Sequence, residues 1–139
     1  MPSSFSRPAS LREVAEVAID AMGDRAAFGR AVAEFLDEFY MHPAKRQVMI
    51  ADEPVGVAKF EDAYLGAVAE HLARRWNLGI PVWADQPHRF LDRAYFAGGL
   101  ESLKAILLAE SPLAFRKRQI FVEAEPLRRA RMPRDEAAA

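Results

Sequence analysis

Val57-Ala-Lys-Phe-Glu-Asp-Ala-Tyr-Leu-Gly-Ala-Val-Ala-Glu-His-Leu-Ala-Arg-Arg-Trp76 runs directly into Asn77-Leu-Gly-Ile-Pro-Val-Trp-Ala-Asp-Gln-Pro-His-Arg-Phe-Leu-Asp-Arg-Ala-Tyr-Phe96. The first half reads as one long helix. At about 100° per residue, Val57, Phe60, Tyr64, Leu65, Val68, Leu72 and Trp76 share one broad arc. Lys59, Asp62, Glu70 and Arg74 fall on the other side with Gly66 and Ala73, and an apolar arc that wide suggests a helix packed against at least two neighbours. Glycine inside a helix is about 1 kcal/mol worse than alanine. A close crossing by a neighbouring helix at Ala63, Gly66, Ala67 and Ala69 would offset that. His71 lies on the edge of the apolar arc and reads as half-buried.

Working outward, the sequence predicts further helices. Ser10 and Glu13 match a capping box, and the helix 11–22 follows, with Leu11, Val14, Ala18, Ile19 and Met22 on one side. Gly23 supplies its stop. Asp24 caps the helix 25–41, whose Phe28, Val32, Phe35, Leu36, Phe39 and Tyr40 form the clearest apolar stripe. A short helix at 44–51 contributes Val48, Met49 and Ile50. After the central helix 58–76, Pro87 opens a short helix over 88–94. Residues 100–110 form another helix, with Leu100, Leu103, Ile106, Leu107 and Leu108 inward. Ser111 caps a last short helix that ends at Arg118. Ile120-Phe-Val122 is too short an apolar run to read as a strand, and a final turn covers 127–131. The fold class is therefore all-α, a compact orthogonal bundle of four main helices with short C-terminal helical turns. Its core centres on Phe35, Phe39, Phe60, Tyr64, Val68, Leu72, Leu103 and Leu107. Residues 1–9 read as an arm, 10–131 as one domain, and 132–139 as a frayed tail.

Composition agrees with a globular chain. Of 139 residues, 51% are hydrophobic and 28% charged, outside the disordered range. No cysteine is present, which excludes disulfides, thiolate metal sites and a cysteine nucleophile. No apolar run reaches bilayer-spanning length, and the N-terminus lacks the apolar core of a signal peptide. A cytoplasmic location is expected. Charge is uneven: residues 1–70 hold 7 basic and 12 acidic groups, and residues 71–139 hold 12 and 8, balances of −5 and +4. Such asymmetry fits a partner surface or pairing between the halves.

No constellation calls for catalysis, a metal or a cofactor. His42, His71 and His88 stand in no zinc-binding or di-iron spacing. Asp85, His88 and Asp92 are separated by three and four, but Pro87 interrupts any helix that would align them. There is no nucleophile elbow and no phosphate loop. Two surfaces remain. Trp83, His88, Arg89, Phe90, Arg93 and Tyr95 carry the aromatic and arginine chemistry of interface hot spots. Arg89 and Arg93, four apart, would project together from a short helix as a fork for carboxylates or phosphates. Arg116, Lys117, Arg118, Arg128, Arg129 and Arg131 form the second candidate, a basic patch for nucleic acid or an acidic protein.

From Tyr64 onward, Ala69-Glu-His-Leu-Ala73, Pro81-Val-Trp83, Arg89-Phe-Leu-Asp92, Tyr95-Phe96, Glu110-Ser-Pro-Leu-Ala-Phe-Arg-Lys-Arg118 and Ile120-Phe121 form a pattern. It resembles a poorly characterised family of small bacterial helical domains. The likeness spans roughly residues 60–133, about half the chain. Members stand alone or follow a helix-turn-helix domain, in operons of toxin–antitoxin type with nucleotidyltransferase-like neighbours. This chain has no evident helix-turn-helix. The resemblance therefore implies a non-catalytic interaction protein, antitoxin-like, whose partner is the product of an adjacent gene. The alternative is a small nucleic-acid-binding regulator that uses the basic C-terminal half.

Overall fold

The computed structural model describes residues 7–99 and 101–133. The architecture is all-α. Its helices are α1 (Leu11–Asp20), α2 (Arg25–Met41), α3 (Arg46–Ala51), α4 (Lys59–Arg75), α5 (Lys104–Glu110) and α6 (Leu113–Arg116). Two-residue strands β1 (Tyr95–Phe96) and β2 (Ile120–Phe121) are the remaining regular pairing among the described residues. No helix among them is long and apolar enough to cross a membrane. Contacts gather the chain into two compact units, residues 1–57 with 129–139, and residues 58–128.

In the first unit, α1 and α2 pack together and α3 closes against α1. The Ser10 hydroxyl accepts the Glu13 N–H at 3.1 Å, as a capping box requires. Glu13 returns to the N–H of Ala9, at 2.8 Å. Asp24 accepts the N–H groups of Ala26 and Ala27 and so starts α2. Leu11, Val14, Phe28, Val32, Phe35, Phe39, Met49 and Ile50 are buried. Helix α1 ends two residues before the predicted Met22. The left-handed exit begins at Met22 itself (φ 55°) and continues through Gly23 (φ 87°), so Met22 and Ile19 face solvent. Val48 is also exposed, because α3 buries only Arg46, Met49 and Ile50. Arg46 Nε donates to the carbonyl of Phe39 at 3.1 Å. That supplements the long 3.4 Å bond this carbonyl accepts from the His42 N–H, since the residue four ahead, Pro43, has no N–H to offer.

The second unit is organised on α4. Helix α6 and the single turns Val82–Asp85 and Pro87–Arg89 pack against it. β1 and β2 pair in parallel, Tyr95 with Ile120 and Phe96 with Phe121. The link is extended by the Leu91 N–H to the Arg118 carbonyl at 3.2 Å and the Tyr95 N–H to the Gln119 carbonyl at 2.8 Å. These bonds explain why no helix forms over 88–94. One turn is completed, and Phe90 then turns extended (φ −130°) so that its neighbours reach the 118–121 segment.

Further predictions in this unit are corrected. The helix expected over 100–110 is α5 alone, preceded by a tighter turn, Glu101–Leu103; residue 100 lies outside the described residues. Only Leu107 of α5 is buried. Leu103, Ile106 and Leu108 are 38%, 51% and 48% exposed, because so short a helix rests on one side chain. Ser111 does not cap α6. Its hydroxyl sits 2.6 Å from the Leu107 carbonyl and 2.9 Å from that of Val122, and accepts the Val122 N–H at 2.8 Å. It closes α5 and ties it to the segment after β2. Phe60 and Tyr64 are half-buried rather than core; their rings meet tilted, with Tyr95 tilted against Phe60 and Phe115 edge-on to Tyr64.

Candidate functional site

Asp62, Gly66 and Glu70 recur at intervals of four and therefore share one stripe of α4. These residues lie on the polar side of the helical wheel. Asp62, Gly66, Glu70 and Ala73 are nevertheless buried, while Lys59 and Arg74 on the same side are exposed. Two arginines cover the stripe. Arg89, from the turn Pro87–Arg89, and Arg118, just past α6, are both completely buried.

Arg118 Nη1 donates to Glu70 Oε1 and to the Ala114 carbonyl, both at 2.8 Å. Its Nη2 donates to the Ala84 carbonyl at 2.7 Å. The guanidinium lies 4.6 Å over the Phe90 ring, a cation–π contact. Arg89 Nη1 donates to the Asp62 carbonyl at 3.2 Å, and its guanidinium lies 4.9 Å over the Trp83 ring. Its Nε reaches Gln86 Oε1 at 3.4 Å. Gly66 sits between the two arginines. A Cβ there would come within 3.0 Å of Arg118 Nε and of Arg89 Cβ, and 3.4 Å from the Ala84 carbonyl. Close approach at Gly66 was expected from another helix; two cationic side chains supply it.

Glu70 gathers three cations. Besides Arg118, it accepts from Arg74 Nε at 2.8 Å and Lys117 Nζ at 3.1 Å. Burial alone pushes its carboxyl up. The hydrogen bonds from Arg118, Arg74 and Lys117, with the charge of Arg118, outweigh burial and hold it down at about 2. His71, edge-on to Phe115 at 5.6 Å, has its pKa lowered, chiefly by burial, with Arg75 adding to the shift and Glu125 opposing it. Burial, then Tyr95 and Glu123, push the Tyr64 hydroxyl up to about 12.

The candidate binding residues therefore separate. Trp83 is buried and Phe90 half-buried, each beneath an arginine. Tyr95 is half-buried against Phe60, with ring centroids 4.6 Å apart. His88 and Arg93 are exposed. The predicted fork of Arg89 and Arg93 is not made, because the helix that would align them is absent and Arg89 turns inward. The basic run divides too. Arg116 and Arg128 are exposed, Lys117 bonds Glu70, and Arg118 is interior. In the first unit, Arg129 grips Asp37 in a two-pronged pair at 2.9 and 3.0 Å, and Arg131 is exposed.

What sequence reading missed is that Arg89 and Arg118 are anchors. The signal available was Gly66, a helix glycine flanked at four residues on each side by carboxylates. Lys59, Asp62, His88, Phe90, Leu91 and Asp92 line a hollow of about 190 Å³ beside this assembly. Among the described residues, no group of three or more histidines and carboxylates is placed to hold a metal ion.

Comparison with protein-family models, characterised proteins and solved structures finds no match to this chain.

Proposed function

We propose that the chain is a non-catalytic protein-interaction module, the antitoxin-like partner of a nucleotidyltransferase-type toxin encoded by an adjacent gene. The observation that carries the interaction reading is the apolar surface on and beside α5. Leu103, Ile106 and Leu108 stand 38%, 51% and 48% exposed within a few residues of each other, and Leu113 follows at 47%. Apolar side chains concentrated on one short surface segment favour a protein partner. The toxin–antitoxin context comes from the family resemblance. Arg93 and His88, both exposed, are the parts of the aromatic and arginine segment left to contact it.

The test is co-expression with the product of the neighbouring gene, followed by capture and mass spectrometry. Capture by the native chain, lost in an Ile106→Asp, Leu108→Asp double variant of unchanged melting temperature, supports the reading. Capture unaffected by that variant removes α5 from the interface. No capture, together with nanomolar, sequence-selective binding of DNA or RNA, transfers the function to the exposed basic residues Arg116 and Arg128.

A further inference from the structure

Three cations share one carboxylate on α4. Glu70 accepts from Arg118, Arg74 and Lys117 but supplies a single negative charge, so the group keeps an excess of two positive charges. Its members differ in depth. The side chains of Glu70 and Arg118 are interior, whereas those of Arg74 and Lys117 are 48% and 33% exposed. Of this group, solvent therefore meets only the cations, and the carboxylate that orients them lies beneath.

That carboxylate also places the two exposed cations relative to each other. Arg74 Nε and Lys117 Nζ bond the same oxygen, Glu70 Oε2, at 2.8 and 3.1 Å, so they lie within two hydrogen-bond lengths of each other. Arg74 uses its Nε alone; among the described residues its two terminal nitrogens bond no protein atom. Lys117 bonds Glu70 and no other described residue, which leaves part of its ammonium free to donate. Neighbouring charges do not cancel the excess. Arg75 is paired with Glu125 at 3.0 Å. Helix α6 adds the exposed Arg116, and Asp85, exposed in the turn packed on α4, forms no ion pair among the described residues. Cations already held in place by a buried carboxylate lose little freedom on binding.

We propose that Arg74 and Lys117 together bind a small phosphate monoester as its dianion. Two negative charges match the excess of two. The terminal nitrogens of a guanidinium suit two phosphate oxygens, and an ammonium serves a third as a point charge. Both cations rise from Glu70 on one side of the ligand, which leaves the ester oxygen directed to solvent. A carboxylate or a phosphodiester brings one charge and neutralises half of the excess. The inference is independent of the interaction reading, since no residue of α5 takes part.

The experiment is NMR titration of the full chain with methyl phosphate at pH 8, where the dianion dominates, and at constant ionic strength. Dimethyl phosphate, acetate and inorganic phosphate are titrated alongside. The expected result is saturable shifts of the Arg74 side-chain N–H and of amides in 70–75 and 114–118, with a dissociation constant near 1 mM or tighter. Dimethyl phosphate and acetate should bind about tenfold more weakly or worse. Arg74→Gln and Lys117→Gln each leave Glu70 two cations, so the amide spectrum should otherwise persist while affinity falls about fivefold or more. Absence of saturable shifts with methyl phosphate overturns the proposal, as does affinity unchanged in both variants. Dimethyl phosphate binding as tightly would mark contact with a nucleic-acid backbone instead, and inorganic phosphate alone binding would mark a site for the free ion; either result removes the monoester. Arg116→Ala weakening binding as much as Arg74→Gln would reduce the site to general attraction by the basic segment and overturns it too.

Discussion

Arg118 Nη1 lies 2.8 Å from Glu70 Oε1, a fully buried ion pair between residues 48 apart in sequence. Its two ends are held by further bonds, Glu70 by Arg74 and Lys117, Arg118 by the carbonyls of Ala84 and Ala114. The pair joins α4, the end of α6 and the turn at 82–85. A buried pair stabilises little over apolar residues of the same shape, but removing one partner strands the other.

Arg118→Ala should therefore destabilise the protein by about 3–5 kcal/mol, as a buried carboxylate loses its one fully buried cationic partner and the Ala84 and Ala114 carbonyls lose their donor. Arg116→Ala, two residues away and exposed, should leave stability within about 0.5 kcal/mol. Urea unfolding of the two variants checks this. Equal effects would mean that Arg118 is not an anchor.

Stability should fall in acid. The Glu70 carboxyl, held at about 2 in the folded state against 4.5 for the ordinary group, contributes fully above pH 4.5. Its contribution declines as pH falls from 4.5 towards 2, where the folded carboxylate also takes up its proton. That interval corresponds to roughly 3 kcal/mol at about 1.4 kcal/mol per unit. His71 acts earlier with the same sign. Its lowered pKa means the unfolded chain binds the proton first, so stability also declines as pH drops through 6.5. Denaturant midpoints measured from pH 7 to 3 should show both slopes, and Glu70→Gln should flatten only the lower one.

Gly66→Ala and Gly29→Ala should have opposite signs. Alanine improves helix propensity by about 1 kcal/mol at either site. Nothing lies within 4 Å of a Cβ at Gly29, so that variant should be more stable. At Gly66 the new methyl meets Arg118 Nε and Arg89 Cβ at 3.0 Å. Arg118 is pinned by three hydrogen bonds and the Arg89 N–H is bonded to the Gln86 carbonyl at 2.8 Å. Neither can yield easily, and overpacking of this kind is unfavourable by about 1–3 kcal/mol. Thermal unfolding of both variants gives the signs directly.

Arg89 and Arg93, expected from their spacing to act together, should behave differently. Arg89→Ala removes a buried cation from beneath α4 and should lower the melting temperature markedly. Arg93→Ala should leave it unchanged. Partner capture corrected for folded fraction should respond to Arg93 only if the 88–93 segment joins the interface. A melting temperature lowered equally by both would restore the pair as one unit.

Local chemistry made much of the fold legible. Ser10 and Asp24 cap helices because their side-chain oxygens reach amides two or three residues ahead, a relation confined to a few neighbouring residues. The stripe Phe28, Val32, Phe35, Leu36 and Phe39 announces the buried face of α2, because its chemistry does not depend on which neighbour covers it. The parts that sequence left open depend on residues far apart. Asp62, Gly66 and Glu70 look like a solvated face by polarity. They are interior because Arg89, 27 residues from Asp62, and Arg118, 48 from Glu70, bring compensating charge. Nothing local to α4 encodes those partners beyond the space left at Gly66. The leucines around α5 err the other way: their apolar character predicts burial, but only Leu107 finds a surface to cover it. Sequence by itself determined α1, α2, α4 and the α2 core, since backbone capping and hydrophobic periodicity act over a few residues. Tertiary structure decided which charges went inside and which apolar groups stayed out, since charge pairing and area burial depend on which distant segment arrives.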